Sequence, residues 1–179
     1  MPEDFAFPLS EVYKRAGQAL PRIDVISGDA MPEPYHELLV HEREMTLTLE
    51  RFHNSEIYIT AQKSEQRDGR YFREVILHRT SDNAPVEFGA NCANLDLFPA
   101  DARQLILQEK VPLGRILKDY AITYSIRVPR FFRLQADALI CRALNLSAPA
   151  TLYGRQAAIC DPRQQPLSQV IEILPLIPA

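Results

Sequence analysis

The hydrophobic pattern changes period several times along the chain. Val12, Ala16 and Leu20 recur every four residues behind Ser10, a residue type suited to an N-cap, until Pro21 interrupts them, which predicts one amphipathic helix. Residues 22–34 mix prolines and glycine with polar residues and read as a surface connection, with a short helix expected over 35–41. Segments 45–52, 57–61, 71–78 and 86–95 are rich in Thr, Val, Ile, Tyr and Phe and read as four strands. Their separators, His53-Asn54-Ser55, a polar stretch ending in Asp68-Gly69, and Ser81-Asp82-Asn83, are turn chemistry of hairpin length, so the sheet is expected to be antiparallel.

The period then returns to that of a helix. Pro99 stands where a first helical residue would, ahead of an apolar stripe of Ala102, Leu105 and Ile106, and Pro112-Leu113-Gly114 opens a second short helix. Residues 122–134 look extended and 136–144 helical, while 152–159 and 167–174 form a last hairpin around Asp161-Pro162. The reading is α+β, one domain over 1–179 with residues 1–34 as an N-terminal helix and connection, and no internal repeat.

Composition narrows the function classes. A chain of 179 residues, 46% hydrophobic, can bury a core without staples. Its net charge of -3 supplies no general positive field for nucleic acid or an anionic membrane, so a small molecule or another protein is the expected partner. Cys92, Cys141 and Cys160 are odd in number and widely spaced, which suits core thiols in a reducing compartment. Neither a signal peptide nor an apolar stretch of membrane-spanning length is visible, and a cytoplasmic location is expected.

Several kinds of chemistry lack their residues. Six glycines are scattered singly, so there is no phosphate-cradling loop, and no nucleotide cofactor is expected. His36 and His41 resemble a zincin pair but are five apart, which on a helix points them to different faces; no metal is expected. No GxSxG elbow marks a nucleophile.

What stands out is charge on apolar strands. Glu172 lies within Val170-Ile171-Glu172-Ile173-Leu174 and shares a face with Val170 and Leu174. If both faces are covered, it is buried and needs a hydrogen-bonding partner, with desolvation raising its pKa; otherwise it points to water. Arg73 poses the same question beside Tyr71, Val75 and Leu77, and a guanidinium there calls for a carboxylate. That carboxylate could come from a ligand, from Glu172 or another acid, or Arg73 could face solvent beside Glu74. Arg115, Lys118, Arg127, Arg130 and Arg133 form a basic stretch that would either steer a small polyanion or serve as a solvated face.

Four stretches, in matching order, resemble the chorismate lyase (chorismate pyruvate-lyase) family and its lyase-like relatives. They are Leu38 to Thr46 with Glu50, Arg70 to Leu77, Pro112 to Leu117, and Tyr153-Gly154-Arg155 leading to Glu172-Ile173-Leu174-Pro175. The resemblance implies a six-stranded antiparallel sheet carrying helices, with an internal ligand pocket. It implies a cofactor-free carbon-oxygen lyase that converts chorismate to 4-hydroxybenzoate and pyruvate. On matching positions Arg73 resembles the arginine that binds the ring carboxylate and Glu172 the carboxylate facing the ring hydroxyl. Met45 and Leu113 occupy flap-like positions, and Gly114 and Arg155 join the substrate-binding set. Where the better-known lyases carry an arginine after the glycine corresponding to Gly89, this chain has Ala90, leaving Arg115, Arg127, Arg130 or Arg155 to hold a second carboxylate. The same fold resembles effector-binding domains of transcription regulators, so the alternative is a domain that binds or senses 4-hydroxybenzoate or a related aromatic acid without turnover.

Overall fold

The computed structural model describes residues 4–177. Its elements run α1 (Leu9–Ala16), β1 (Ile23–Ile26), α2 (Tyr35–Leu39), α3 (Met45–His53), β2 (Ile57–Arg67), β3 (Arg70–Arg79) and β4 (Pro85–Ala93). They continue with α4 (Ala100–Gln108), α5 (Leu113–Asp119), β5 (Ser125–Gln135), α6 (Ala138–Ala143), β6 (Thr151–Cys160) and β7 (Pro166–Leu174). The architecture is α+β around a single antiparallel sheet, in the order β1-β5-β6-β7-β4-β3-β2.

The sheet has seven strands rather than the six expected. The added one is β1, inside the segment read as a connection, where Ile23 to Ile26 pair along the edge of β5. The helix expected from Ser10 to Leu20 stops at Ala16, because Gly17 takes a left-handed conformation (φ 65°) and its N–H closes back on the last turn. Pro8 precedes that helix as its cap residue, and the Ser10 hydroxyl binds Asp4 instead of capping.

The segment 45–52 is a helix, not a strand. Met-Thr-Leu-Thr-Leu alternates like a strand, but the carboxylate of Glu44 accepts the N–H groups of Thr46 (2.7 Å) and Leu47 (2.8 Å) and nucleates a helical turn. Met45 and Leu49, four residues apart, then share a buried face, as a helix requires.

Each face of the sheet carries its own layer. On one, Leu9, Val12 and Tyr13 of α1 and Ile140 of α6 pack on Ile76, Phe88, Ala90, Phe132, Ile171 and Ile173. The other is covered in two parts. Leu38, Leu39, Met45 and Leu49 of α2 and α3 cover Ile59, Val75 and Leu77, while Ala102, Ile106, Ile116 and Leu117 of α4 and α5 cover Ile126, Ala157, Ile159 and Val170. A cavity lies at the seam between these two clusters.

Candidate functional site

Register brings charges from four strands to the cavity face. On β3 and β4, Arg73 stands opposite Asn91, Val75 opposite Gly89, and Leu77 opposite Glu87. On β7, Glu172 pairs with Gly89 on one side and with Arg155 of β6 on the other. The cavity of about 60 Å³ is several times what one water needs. Its lining includes Ile59, Val75, Leu77, Ala157 and Val170 from the sheet, and Glu44, Met45, Leu113 and Gly114 from the cap.

All six residues singled out from the sequence, Arg73, Glu172, Met45, Leu113, Gly114 and Arg155, line this cavity. Glu172 is buried because Ile171 and Ile173 on the reverse side are covered as well. Its partner is Arg155, whose Nε donates to Glu172 Oε2. Arg155 also donates through Nη1 to the His41 carbonyl (2.8 Å) and through Nη2 to the Arg43 carbonyl (3.0 Å). The guanidinium is therefore fully engaged, tying Glu172 to the loop that leads into α3.

Arg73 differs. It is 3% exposed, and neither Nε nor Nη1 has a hydrogen-bond partner. Burial pushes its pKa down from the usual value, while Tyr71 and Glu109 act against that shift. It pairs with neither Glu172 nor solvent, and Glu74 next to it points to the other face, where it accepts from Arg15 Nη2 (2.5 Å). A guanidinium buried without an anion is a costly arrangement that a carboxylate entering the cavity would relieve.

Two carboxylates of the site were not singled out from the sequence. Glu87 is 4% exposed, and its Oε2 is without a hydrogen-bond partner. Burial raises its carboxyl well above the usual carboxylate range, Glu172 and Glu44 add to the shift, and Arg155 opposes it. The signal was available, since Val86-Glu87-Phe88 sets an acid between apolar residues as Ile171-Glu172-Ile173 does. The helix-capping Glu44 is also raised, first by desolvation and also by Glu172, against the pull of its N–H donors. Gly114 makes room for it: a Cβ there would lie 1.8 Å from Glu44 Oε1.

Of the expected substitutes for an arginine at position 90, Arg155 lines the cavity and Arg115, Arg127 and Arg130 do not. Arg115 binds Glu50 (2.7 Å), Arg127 donates to Cys160 Sγ (3.3 Å), Arg130 donates to Gln156 (2.9 Å), and Arg155 is engaged as described. Ala90 itself packs in the opposite layer with Phe88 and Ile171, and the polar side chain beside Arg73 is Asn91, whose Oδ1 lacks a partner. The basic stretch does not converge on this cavity: Arg127 and Arg130 line a different one together with Arg70, and Arg133 lies against Asp24 at the β1 edge. His41 Nδ1 accepts from Arg155 (3.2 Å) and the Arg43 N–H (3.1 Å), and its pKa is lowered to about 4 by burial and those two arginines. No helix among the described residues is long and apolar enough to cross a membrane.

No protein-family model matches the sequence, and no curated protein matches it. Solved structures do share the fold. PhnF from Mycobacterium smegmatis has a TM-score of 0.58 at 10% identity over 75% of this chain, and the gene product SA0254 from Staphylococcus aureus 0.53 at 6% over 66%. YydK from Bacillus subtilis, described as a possible transcriptional regulator, has 0.52 at 7% over 69%. The chain spans 64% of the length of PhnF, 82% of SA0254 and 61% of YydK. At these identities the likeness is one of fold.

Proposed function

We propose that this chain is a ligand-binding domain that takes a small aromatic monocarboxylic acid into its internal cavity and senses it without converting it. The observation that carries this reading is the charge inventory of the cavity. Arg73 is its one guanidinium with open donors, while at the other end Arg155 is bonded to Glu172 and opposes the raised carboxyl of Glu87, with Glu44 beside them. One ligand carboxylate is matched by Arg73, with Asn91 beside it. A second carboxylate, as chorismate would bring, would meet buried acids and no free cation, and the position where the resembling lyases have their further arginine is Ala90, facing the other layer.

The apolar walls suit a ring, and the absence of a nucleophile or phosphate-binding loop in the sequence asks nothing else of the ligand. The shared fold with YydK supports a sensing role over turnover. The lyase reading keeps Arg73 and Glu172 in the same places but needs a dianion held where the cavity is acidic.

Calorimetric titration with benzoate and 4-hydroxybenzoate, alongside incubation with chorismate, tests the proposal. The expected result is saturable binding of the monocarboxylates, weakened about tenfold or more in Arg73→Ala, with chorismate unconverted. Formation of 4-hydroxybenzoate and pyruvate in equal amounts would overturn it in favour of the lyase.

A further inference from the structure

The end of the cavity away from Arg73 holds more negative groups than it can pair. Arg155 serves Glu172 and the carbonyls of the cap loop, and both oxygens of Glu44 are occupied by the N–H groups of α3. Glu87 receives none of these donors at Oε2. Its other oxygen leans over the bare backbone of Gly89, where an added Cβ would lie 3.3 Å from Oε1, so the carboxyl group reaches into space left by the missing side chain beside Glu172. Glu87 is thus a buried, unpartnered acid in the wall of the same cavity that contains an unpartnered arginine.

The two are well separated. Glu87 pairs across the sheet with Leu77, four residues along β3 from Arg73, a backbone distance of roughly 13 Å. A ligand that engages both must be elongated, with its carboxylate at one end and a hydrogen-bond donor at the other. A neutral hydroxyl would satisfy one lone pair and leave the excess negative charge unbalanced, whereas a cation would answer both.

We propose that Glu87, with Glu172 and Glu44 beside it, forms a site for a ligand ammonium group, so that the domain's ligand is an aromatic amino-carboxylic acid bound by its carboxylate on Arg73 and by its distal amine on Glu87. This rests on the monocarboxylate reading of Arg73 and adds the chemistry of the opposite end. Burial and the neighbouring acids raise the Glu87 carboxyl well above the usual carboxylate range, and an ammonium beside it would favour the charged form and act against that shift.

Three para-substituted benzoates of closely similar size separate the possibilities by calorimetry: 4-(aminomethyl)benzoate, 4-(hydroxymethyl)benzoate and 4-ethylbenzoate. The ammonium compound should bind about tenfold or more tighter than either neutral one, the effect of one charge-assisted hydrogen bond. In Glu87→Gln that preference should vanish, the affinities for 4-(aminomethyl)benzoate and 4-ethylbenzoate becoming alike. Equal affinities for the three, or a preference that survives Glu87→Gln, would overturn the ammonium site alone. Failure of all three to bind would overturn it together with the carboxylate anchor. The comparison in the unaltered protein stands even if the variant folds poorly.

Discussion

The two buried arginines of the cavity face are placed alike and treated oppositely. Arg155 and Arg73 each project from an inner strand, at 1% and 3% exposure. Arg155 meets a carboxylate and the carbonyls of residues 41 and 43, whereas Arg73 has open donors. A protein holds the first kind of charge for architecture. The second kind weakens the empty fold, and its retention makes sense when something from outside completes it.

That contrast can be broken from either side. The largest effect should follow Arg155→Met, which leaves Glu172 buried without its partner and frees the loop into α3; a loss of about 3–5 kcal/mol in denaturant unfolding is expected. Arg73→Leu should do the reverse in the same assay, leaving stability unchanged or raised, while ligand affinity falls by about 1.5–3 kcal/mol in calorimetry. If Arg73→Leu unfolds the protein as Arg155→Met does, the two arginines are not different in kind.

Gly114→Ala sharpens the comparison by disturbing the cap without touching either charge. The new methyl group would overlap Glu44, and a destabilisation of about 1–3 kcal/mol should appear as a lower melting temperature.

The smallest effect expected is one of pH. Glu87 has a folded pKa above its unfolded value, so between about 4.3 and its raised value the folded protein holds a proton that the unfolded chain has released. Its contribution to stability is therefore fully present below the unfolded value and declines as pH rises through that window. Glu87→Gln should flatten this part of the stability profile, leaving the similar but separate slope of Glu44. His41 has the opposite sign: with its folded pKa lowered to about 4, stability is lost as pH falls from about 6.5 towards that value.

Most strands could be read from the chain because β-branched, aromatic and other apolar residues concentrate between turn residues, as in 71–78 and 167–174, where both faces are buried almost throughout. The first turn of α3 could not, since Met45 to Leu49 alternates and the deciding interaction is the Glu44 side chain with two backbone N–H groups. Nor could β1, a four-residue edge strand whose existence depends on β5, more than a hundred residues later. Arg73 and Glu172 were visible as charges on apolar faces. Their partners were not, because pairing follows register between distant strands: it gives Glu172 to Arg155 and leaves Arg73 across from Asn91. Glu87 satisfied the same criterion as Glu172 and went unmarked, although its surroundings are less well compensated.

The cap over the cavity has a kinetic consequence. Met45 and Leu113 sit at the starts of two helices and are 3% and 8% exposed, and the loop before Met45 is bound to the sheet through Arg155. If a molecule held on Arg73 leaves between those helix ends, they must part first. Its dwell time is then set by the opening rate of the lid, so ligands of different affinity should depart at rates more alike than their equilibrium constants suggest.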